Sequence, residues 1–219
     1  MKVCTDACLL GSWFAAHIPP KASILDIGSG TGLQMLMLAQ KTDAPIHGIE
    51  IDEAAYSQLR ENLNASPWKD RLIPFFGDAL EFRFPEKYGF IISNPPFFEN
   101  DLRSPEESSN RAKHDTTLTL QKLIELINHN LTEDGEFGLL LPFHRSSDIH
   151  RLAAEFGFHL IEEVRIRQTP RHNIFRIIVR YGRKPRAGEV KHHSFSIRDT
   201  HNQYTPAFTE LLKDYYLFL

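Results

Sequence analysis

Cysteine is nearly absent from this sequence: of 219 residues only Cys4 and Cys8 carry a thiol, with no CxxC pair or Cys/His set around them. That excludes a disulfide framework and the common zinc spacings, and both cysteines are expected to be reduced and partly buried. Long apolar runs are missing too, and none approaches the roughly 18 residues a membrane helix needs. The opening "MKVCTDACLLGSW" lacks the cationic start and the apolar core of about 7–15 residues that mark a secretion signal. A cytoplasmic protein with no membrane association is expected. Internal repeats and low-complexity linkers are also missing, and the length suits one domain with a sizeable core.

Positive charge is scarce over the first three quarters of the chain. Residues 1–164 hold 14 Lys and Arg against 24 Asp and Glu, whereas residues 165–219 hold 11 against 4. The excess is concentrated in "RIRQTPRHNIFRIIVRYGRKPR" (165–186). Two solvated strands with alternating charge would read this way, and so would a face that meets a polyanion.

What is present alternates between strand and helix patterns. Strands are expected over 23–30, 45–52, 71–79 and 88–93, with helices over 31–41 and 53–66. The first helix carries its apolar spacing at Leu33, Leu36, Met37 and Gln40. An amphipathic helix over 116–131 leads through an Asp134-Gly135 turn into a strand over 136–143. A helix over 146–158 follows, with Ser146 or Ser147 as its N-cap. The strands 159–168 and 173–182 are joined by a short turn at 169–172, so they pair antiparallel. The class is α/β: a mostly parallel twisted sheet with helices on both faces and an antiparallel C-terminal hairpin.

The chemistry gathers at the strand tips. "LDIGSGTG" (25–32) turns a strand into a helix through Gly28, Gly30 and Gly32, which permit a tight turn and close approach of a ligand to the backbone. The spacing is neither the dinucleotide fingerprint nor a phosphate-binding P-loop. Asp26 at the tip would repel a pyrophosphate and suits a cationic amine or sulfonium. Glu50 ends the next strand, about twenty residues past the glycines, where a carboxylate can accept from both ribose hydroxyls. Asp78 follows the third strand in "FFGDAL" and can accept from an adenine amino group. In "IISNPPFFEN" (91–100) a polar amide, Asn94, stands at a strand tip before two prolines that cannot extend the ladder.

Together, Asp26 to Gly32, Glu50, Asp78-Ala79 and Asn94-Pro-Pro-Phe97 resemble the motifs of class I S-adenosylmethionine-dependent methyltransferases, which have a Rossmann-like fold. The asparagine-proline-proline-aromatic run is similar to that of enzymes that methylate planar amino groups. More narrowly, "MKVCTDACLLGSW", "NASPW" (64–68), "RAKHDTTL" (111–118) and "QYTPAFTELLKDYYLFL" (203–219) resemble segments of the bacterial tRNA1(Val) (adenine(37)-N6)-methyltransferase family. Cys4 and Cys8 stand where that family tends to have glycine.

The resemblance implies a tRNA (adenine-N6)-methyltransferase that uses S-adenosyl-L-methionine and releases S-adenosyl-L-homocysteine. Methylation of glutamine side chains, of guanine N2 in rRNA or of adenine in DNA are alternatives, as is a subunit that binds cofactor or RNA without catalysis. Implied catalytic residues are Asn94, Pro95 and Phe97. The Asn94 side-chain oxygen and the Pro95 carbonyl would hold the amine, and Phe97 would stack on a base drawn from its own stack. Cofactor contacts would come from Thr5, Asp26, Gly28, Gly30, Gly32, Glu50, Ile51, Asp78, Ala79 and Asn94. Substrate contacts would come from Phe97, Arg111, Lys113, Arg171, Arg183 and Arg186. Residues 1–20 would form a cofactor-covering segment, 21–182 the core and 183–219 an extension. Trp13 and Trp68 are expected in the core, and Asp6 to cap the first helix. A monomer is expected, and no metal: His144, His172, His192 and His193 are not spaced as ligands.

Overall fold

The computed structural model describes residues 4–18, 22–95 and 118–218. Strands β1 (Ile24–Ile27), β2 (Ile46–Glu50), β3 (Leu72–Phe76), β4 (Tyr88–Ser93) and β5 (Leu131–Pro142) lie parallel to one another. β6 (His159–Arg167) and β7 (Ile174–Gly182) form the expected antiparallel hairpin, and β7 also pairs antiparallel with β5. β8 (Lys191–Ser196) closes the row parallel to β6. The single sheet has the order β3-β2-β1-β4-β5-β7-β6-β8. The helices are α1 (Thr5–Ala15), α2 (Leu33–Ala39), α3 (Glu53–Ala65), α4 (Leu120–Asn130), α5 (Ser146–Glu155) and α6 (Pro206–Leu212).

Strand side chains alternate between two cores, as the pleat requires. Ile24, Phe90, Ile92, Leu140 and Ile178 face the layer of α1, α2, α3 and α6. Leu25, Ile27, Ile91, Leu139 and Val179 face α4 and α5. In the first core the Phe14 and Phe90 rings are 5.2 Å apart and both side chains are fully buried. Each such burial contributes about 2–3 kcal/mol. α1 lies so close that a Cβ on Gly138 would stand 2.2 Å from the Phe14 ring, which explains a glycine in mid-strand. α4 is cut by its own sequence: Thr119 Oγ1 accepts from Lys122 N–H at its start, and Leu123, Ile124 and Ile127 form its buried stripe.

Four local expectations change. β5 begins at Leu131, so Asp134-Gly135 is an irregularity inside the strand: Tyr88 pairs with Leu131 but Phe90 pairs with Glu136. The cap of α5 is Arg145, because a 3₁₀ turn over Phe143–Arg145 runs straight into the helix; Ser146 is already helical, its Oγ 3.1 Å from His150 Nε2. α2 buries Gln34, Met35, Met37, Leu38 and Ala39 in place of one stripe, since it packs against α1 as well as the sheet. β8 and α6 were not foreseen: "KHHSFS" is a mostly exposed outer strand with no apolar alternation to announce it. Among the described residues no helix is long and apolar enough to cross a membrane.

Candidate active site

Ile27, Glu50, Phe76 and Ser93 end four neighbouring parallel strands, so the side chains after them line one crevice at the carboxyl end of the sheet. Gly28, Gly30 and Gly32 all adopt left-handed backbone, with φ of 75°, 56° and 89°. A side chain there would be strained whatever the room available. At Gly32 room is also missing, since a Cβ would meet Leu59 Cδ1 at 2.6 Å; at Gly28 nothing lies within 4 Å, so the turn stays open to a ligand. Gly28 and Ser29 N–H both donate to Ile49 O at 3.0 Å, and Asn62 Nδ2 donates to Thr31 O at 2.9 Å.

Glu50 is buried and bridges the loop to the next strand. Its Oε2 accepts from Gly30 N–H at 2.7 Å and its Oε1 from Asp52 N–H at 2.8 Å. Asp26 is 1% exposed, and its Oδ2 has no hydrogen-bond partner among the described residues. Burial, reinforced by the charge of Glu50 and partly offset by Ser29, pushes the Asp26 carboxyl up to about 7. An orphaned buried acceptor is costly and points to a missing donor. Asp78 Oδ1 accepts from Leu80 N–H at 2.9 Å, in an Asx turn that fixes the carboxylate beside half-buried Ala79. Ile51 is 37% exposed, an apolar surface next to Glu50.

β4 delivers Asn94. The preceding Ser93, fully buried, donates its Oγ to Ile27 O at 2.7 Å and ties the tips of β4 and β1 together. Asn94 Oδ1 is the second buried side-chain oxygen without a partner among the described residues, and Pro95 behind it is buried. The sequence reading missed Ser93; a lone hydroxyl closing an apolar strand was the available signal.

α1 starts at the same end. Gln34 Nε2, just after the glycine turn, donates to Ala7 O at 3.2 Å, and Thr5 is the first residue of α1. Asp6 does not cap α1: the N-cap is Cys4, without a side-chain bond, and Asp6 pairs with Arg176 Nε at 2.8 Å. Cys8 is buried and Cys4 exposed, both free. Trp13 and Trp68 are partly buried against the first core, and Trp13 Nε1 donates to Glu162 at 3.1 Å.

The expected substrate residues do not share one surface. Arg171 lies in the β6–β7 turn, at the carboxyl end. Arg183 and Arg186 follow β7 at the opposite, amino end, because Gly182 pairs with Glu136 there. Arg183 donates to Thr132 O at 3.1 Å and to Asn128 Oδ1 at 2.7 Å, and lies 5.2 Å from the Phe158 ring centroid. A further bond, from the guanidinium to Asn128 O, satisfies a carbonyl in the last turn of α4. Arg186 pairs with Glu136, which also holds Arg180 at 2.6 Å. Their guanidiniums are therefore committed to the fold. Phe97, Arg111 and Lys113 lie outside the described residues.

The family model for the methyltransferase small domain matches residues 7–164. A tRNA1(Val) (adenine(37)-N6)-methyltransferase of Flavobacterium johnsoniae is 38% identical over 220 residues, covering 99% of this chain and 93% of that protein. One from Dyadobacter fermentans is 39% identical, covering 99% and 91%. In structure, an Agrobacterium tumefaciens protein described as "a predicted O-methyltransferase" superposes with a TM-score of 0.73 at 17% identity, over 95% of this chain and 96% of that one. The glycopeptide N-methyltransferase MtfA, solved with S-adenosyl-L-methionine, gives 0.59 at 14% identity, over 82% and 99%. At such identities the two structures speak for the fold, which is that of the class I methyltransferases. Full-length similarity above one third to curated relatives decides the rest: the chain belongs to the tRNA1(Val) (adenine(37)-N6)-methyltransferase family.

Proposed function

We propose that this protein is a cytoplasmic enzyme that methylates N6 of adenine 37, beside the anticodon of tRNA1(Val), with S-adenosyl-L-methionine as the donor. The donor set fits the cofactor. Asp26 offers an unpaired carboxylate oxygen to its ammonium, Glu50 and Asp78 offer acceptors to its ribose and adenine, and Ile51 offers an apolar wall. The open turn at Gly28 admits it to the backbone, and Thr5 stands at the start of the helix beside that turn. When bound, this cofactor supplies an electrophilic methyl group on sulfonium and leaves as S-adenosyl-L-homocysteine.

The carrying observation is the buried, unpartnered Oδ1 of Asn94 at a strand tip pinned by Ser93. An exocyclic adenine amine is a weak nucleophile, because its lone pair is delocalised into the ring. Asn94 Oδ1 accepts one N–H and the Pro95 carbonyl accepts the other, which orients the nitrogen. Both dipoles are fixed beforehand and stabilise the positive charge that grows on nitrogen during transfer. Pro95 restrains the backbone directly after Asn94, so that this geometry precedes substrate binding. Phe97 is proposed to stack on the extruded base, and Arg111 and Lys113 to meet its phosphates. Incubation of the protein with unmodified tRNA and cofactor labelled in its methyl group, followed by nucleoside mass spectrometry, tests the proposal. Label in N6-methyladenosine at position 37 is expected; label confined to guanine would refute it.

A further inference from the structure

The β6–β7 hairpin stands higher than the crevice it adjoins. Ser93, at the tip of β4, is level with Leu139, but β5 continues to Pro142 opposite Arg176. Three further residues of strand add about 10 Å. Arg167 pairs with Ile174 on one side and Ser196 on the other, so the β6–β7 turn and the segment after β8 crown this rise together. Backbone bonds from Ile197 and Arg198 to Arg167 O and Gln168 O, both 2.9 Å, hold the two parts side by side.

The crown is cationic and its cations are available. Arg167 and the exposed Arg171 have no side-chain partner among the described residues. Arg198 donates one N–H to Asn202 O at 2.6 Å and lies 4.2 Å from the Tyr204 ring centroid, which fixes the plane of its guanidinium and leaves donors unused. The neighbouring carboxylates are occupied: Asp148 with Arg145 at 3.3 Å, and Asp199 with the N–H groups of His201 and Gln203. Below the crown the crevice is acidic, lined by Asp26, Glu50 and Asp78. A nucleic acid that puts a base there needs its phosphates neutralised nearby, and the arginines at the amino end of the sheet cannot help. β7 alone separates them from the crown by roughly 26 Å at strand rise.

We propose that this raised rim, carried by Arg167, Arg171 and Arg198, docks the RNA sugar-phosphate backbone flanking the target base. The inference rests on the tRNA reading above and names the surface through which that substrate is held.

Two double variants of equal charge loss test it: Arg167→Gln with Arg171→Gln at the rim, and Lys87→Gln with Lys184→Gln at the amino end, where Lys87 precedes β4 and Lys184 follows β7. Binding of a tRNA1(Val) transcript and of its anticodon stem-loop is followed as salt is varied. The rim variant should lower the slope of log affinity against log salt by about two units, and weaken binding at least about tenfold at physiological salt. Adding Arg198→Gln should remove about one unit more. The amino-end variant should keep the wild-type slope, and cofactor affinity and melting temperature should hold in all variants. A wild-type slope in the rim variant overturns the proposal, as does an equal loss in the amino-end variant. Methyl transfer by wild-type protein is scored separately. A protein that methylates no tRNA adenine but loses its salt slope at the rim would sink the substrate reading and keep the docking surface.

Discussion

At the carboxyl end of the sheet, Asp26 Oδ2 and Asn94 Oδ1 are buried without partners among the described residues, whereas at the amino end Glu136 receives both Arg180 and Arg186. The same contrast runs along the basic stretch 165–186. Among the described residues the Arg167 and Arg171 side chains have no partner, while Arg183 is spent on the end of α4. Buried polar groups are normally satisfied, and leaving one unmet costs about 1–3 kcal/mol. The amino end follows that rule and supports the fold. The carboxyl end breaks it twice within neighbouring strand tips, as a site awaiting a ligand would.

The largest expected effect lies on the satisfied side. Glu136→Ala leaves the buried Arg180 without its carboxylate, and should destabilise the protein by about 3–5 kcal/mol in chemical denaturation. Turnover per folded molecule should be unchanged. A loss below about 1 kcal/mol would break the comparison, because the amino end would then not be stabilising.

Asn94→Ala tests the opposite side. Turnover should fall at least about a hundredfold, or roughly 2.7 kcal/mol of transition-state stabilisation, with cofactor binding and melting temperature nearly unchanged. Retention of more than about a tenth of wild-type kcat would leave under 1.4 kcal/mol to this group and end the proposed mechanism.

Two intermediate effects sharpen the contrast. Asp78→Ala should weaken cofactor binding by about 1–3 kcal/mol in calorimetry, and unchanged affinity would remove the adenine assignment. Arg183→Ala should cost about 1–3 kcal/mol of stability and leave the salt slope of tRNA binding as it was. A lowered slope would return Arg183 to the RNA surface.

A pH dependence completes the contrast. Because burial raises the Asp26 carboxyl to about 7, the folded chain without ligand binds more protons than the unfolded chain from the ordinary carboxylate range up to that value. Stability should therefore fall as pH rises through this window and level off above it, and Asp26→Asn should lose the slope. A cationic ligand needs the ionised form, so cofactor affinity should rise about tenfold between pH 6 and pH 8. Flat affinity across that range would separate Asp26 from the ammonium.

Much of the carboxyl end was legible in the chain itself, because its chemistry is local. Three glycines where a strand turns into a helix demand positive φ, and all three have it. Glu50 and Asp78 follow apolar runs that can only be buried strands, so their places at one end of a parallel sheet follow from the β–α alternation. Asn94 before two prolines had to stand where β4 stops. Phe97, Arg111 and Lys113 were equally conspicuous, but they fall outside the described residues.

What the sequence could not reveal depends on register and on partners distant along the chain. Residues 165–186 read as a single basic segment. Folding the segment at 169–172 sends Arg171 to the crevice and Arg183 and Arg186 to the far end, where their partners lie about 50 residues back. β8 joined the sheet without apolar alternation, since an outer strand needs only backbone pairing on one side. By itself the sequence determined the turn, the acidic strand tips and the stiff asparagine, because each is set by backbone sterics or by the end of a strand. Tertiary structure alone decided which acceptors stayed unmet and which arginines stayed free, because satisfaction depends on every group that packing brings within reach.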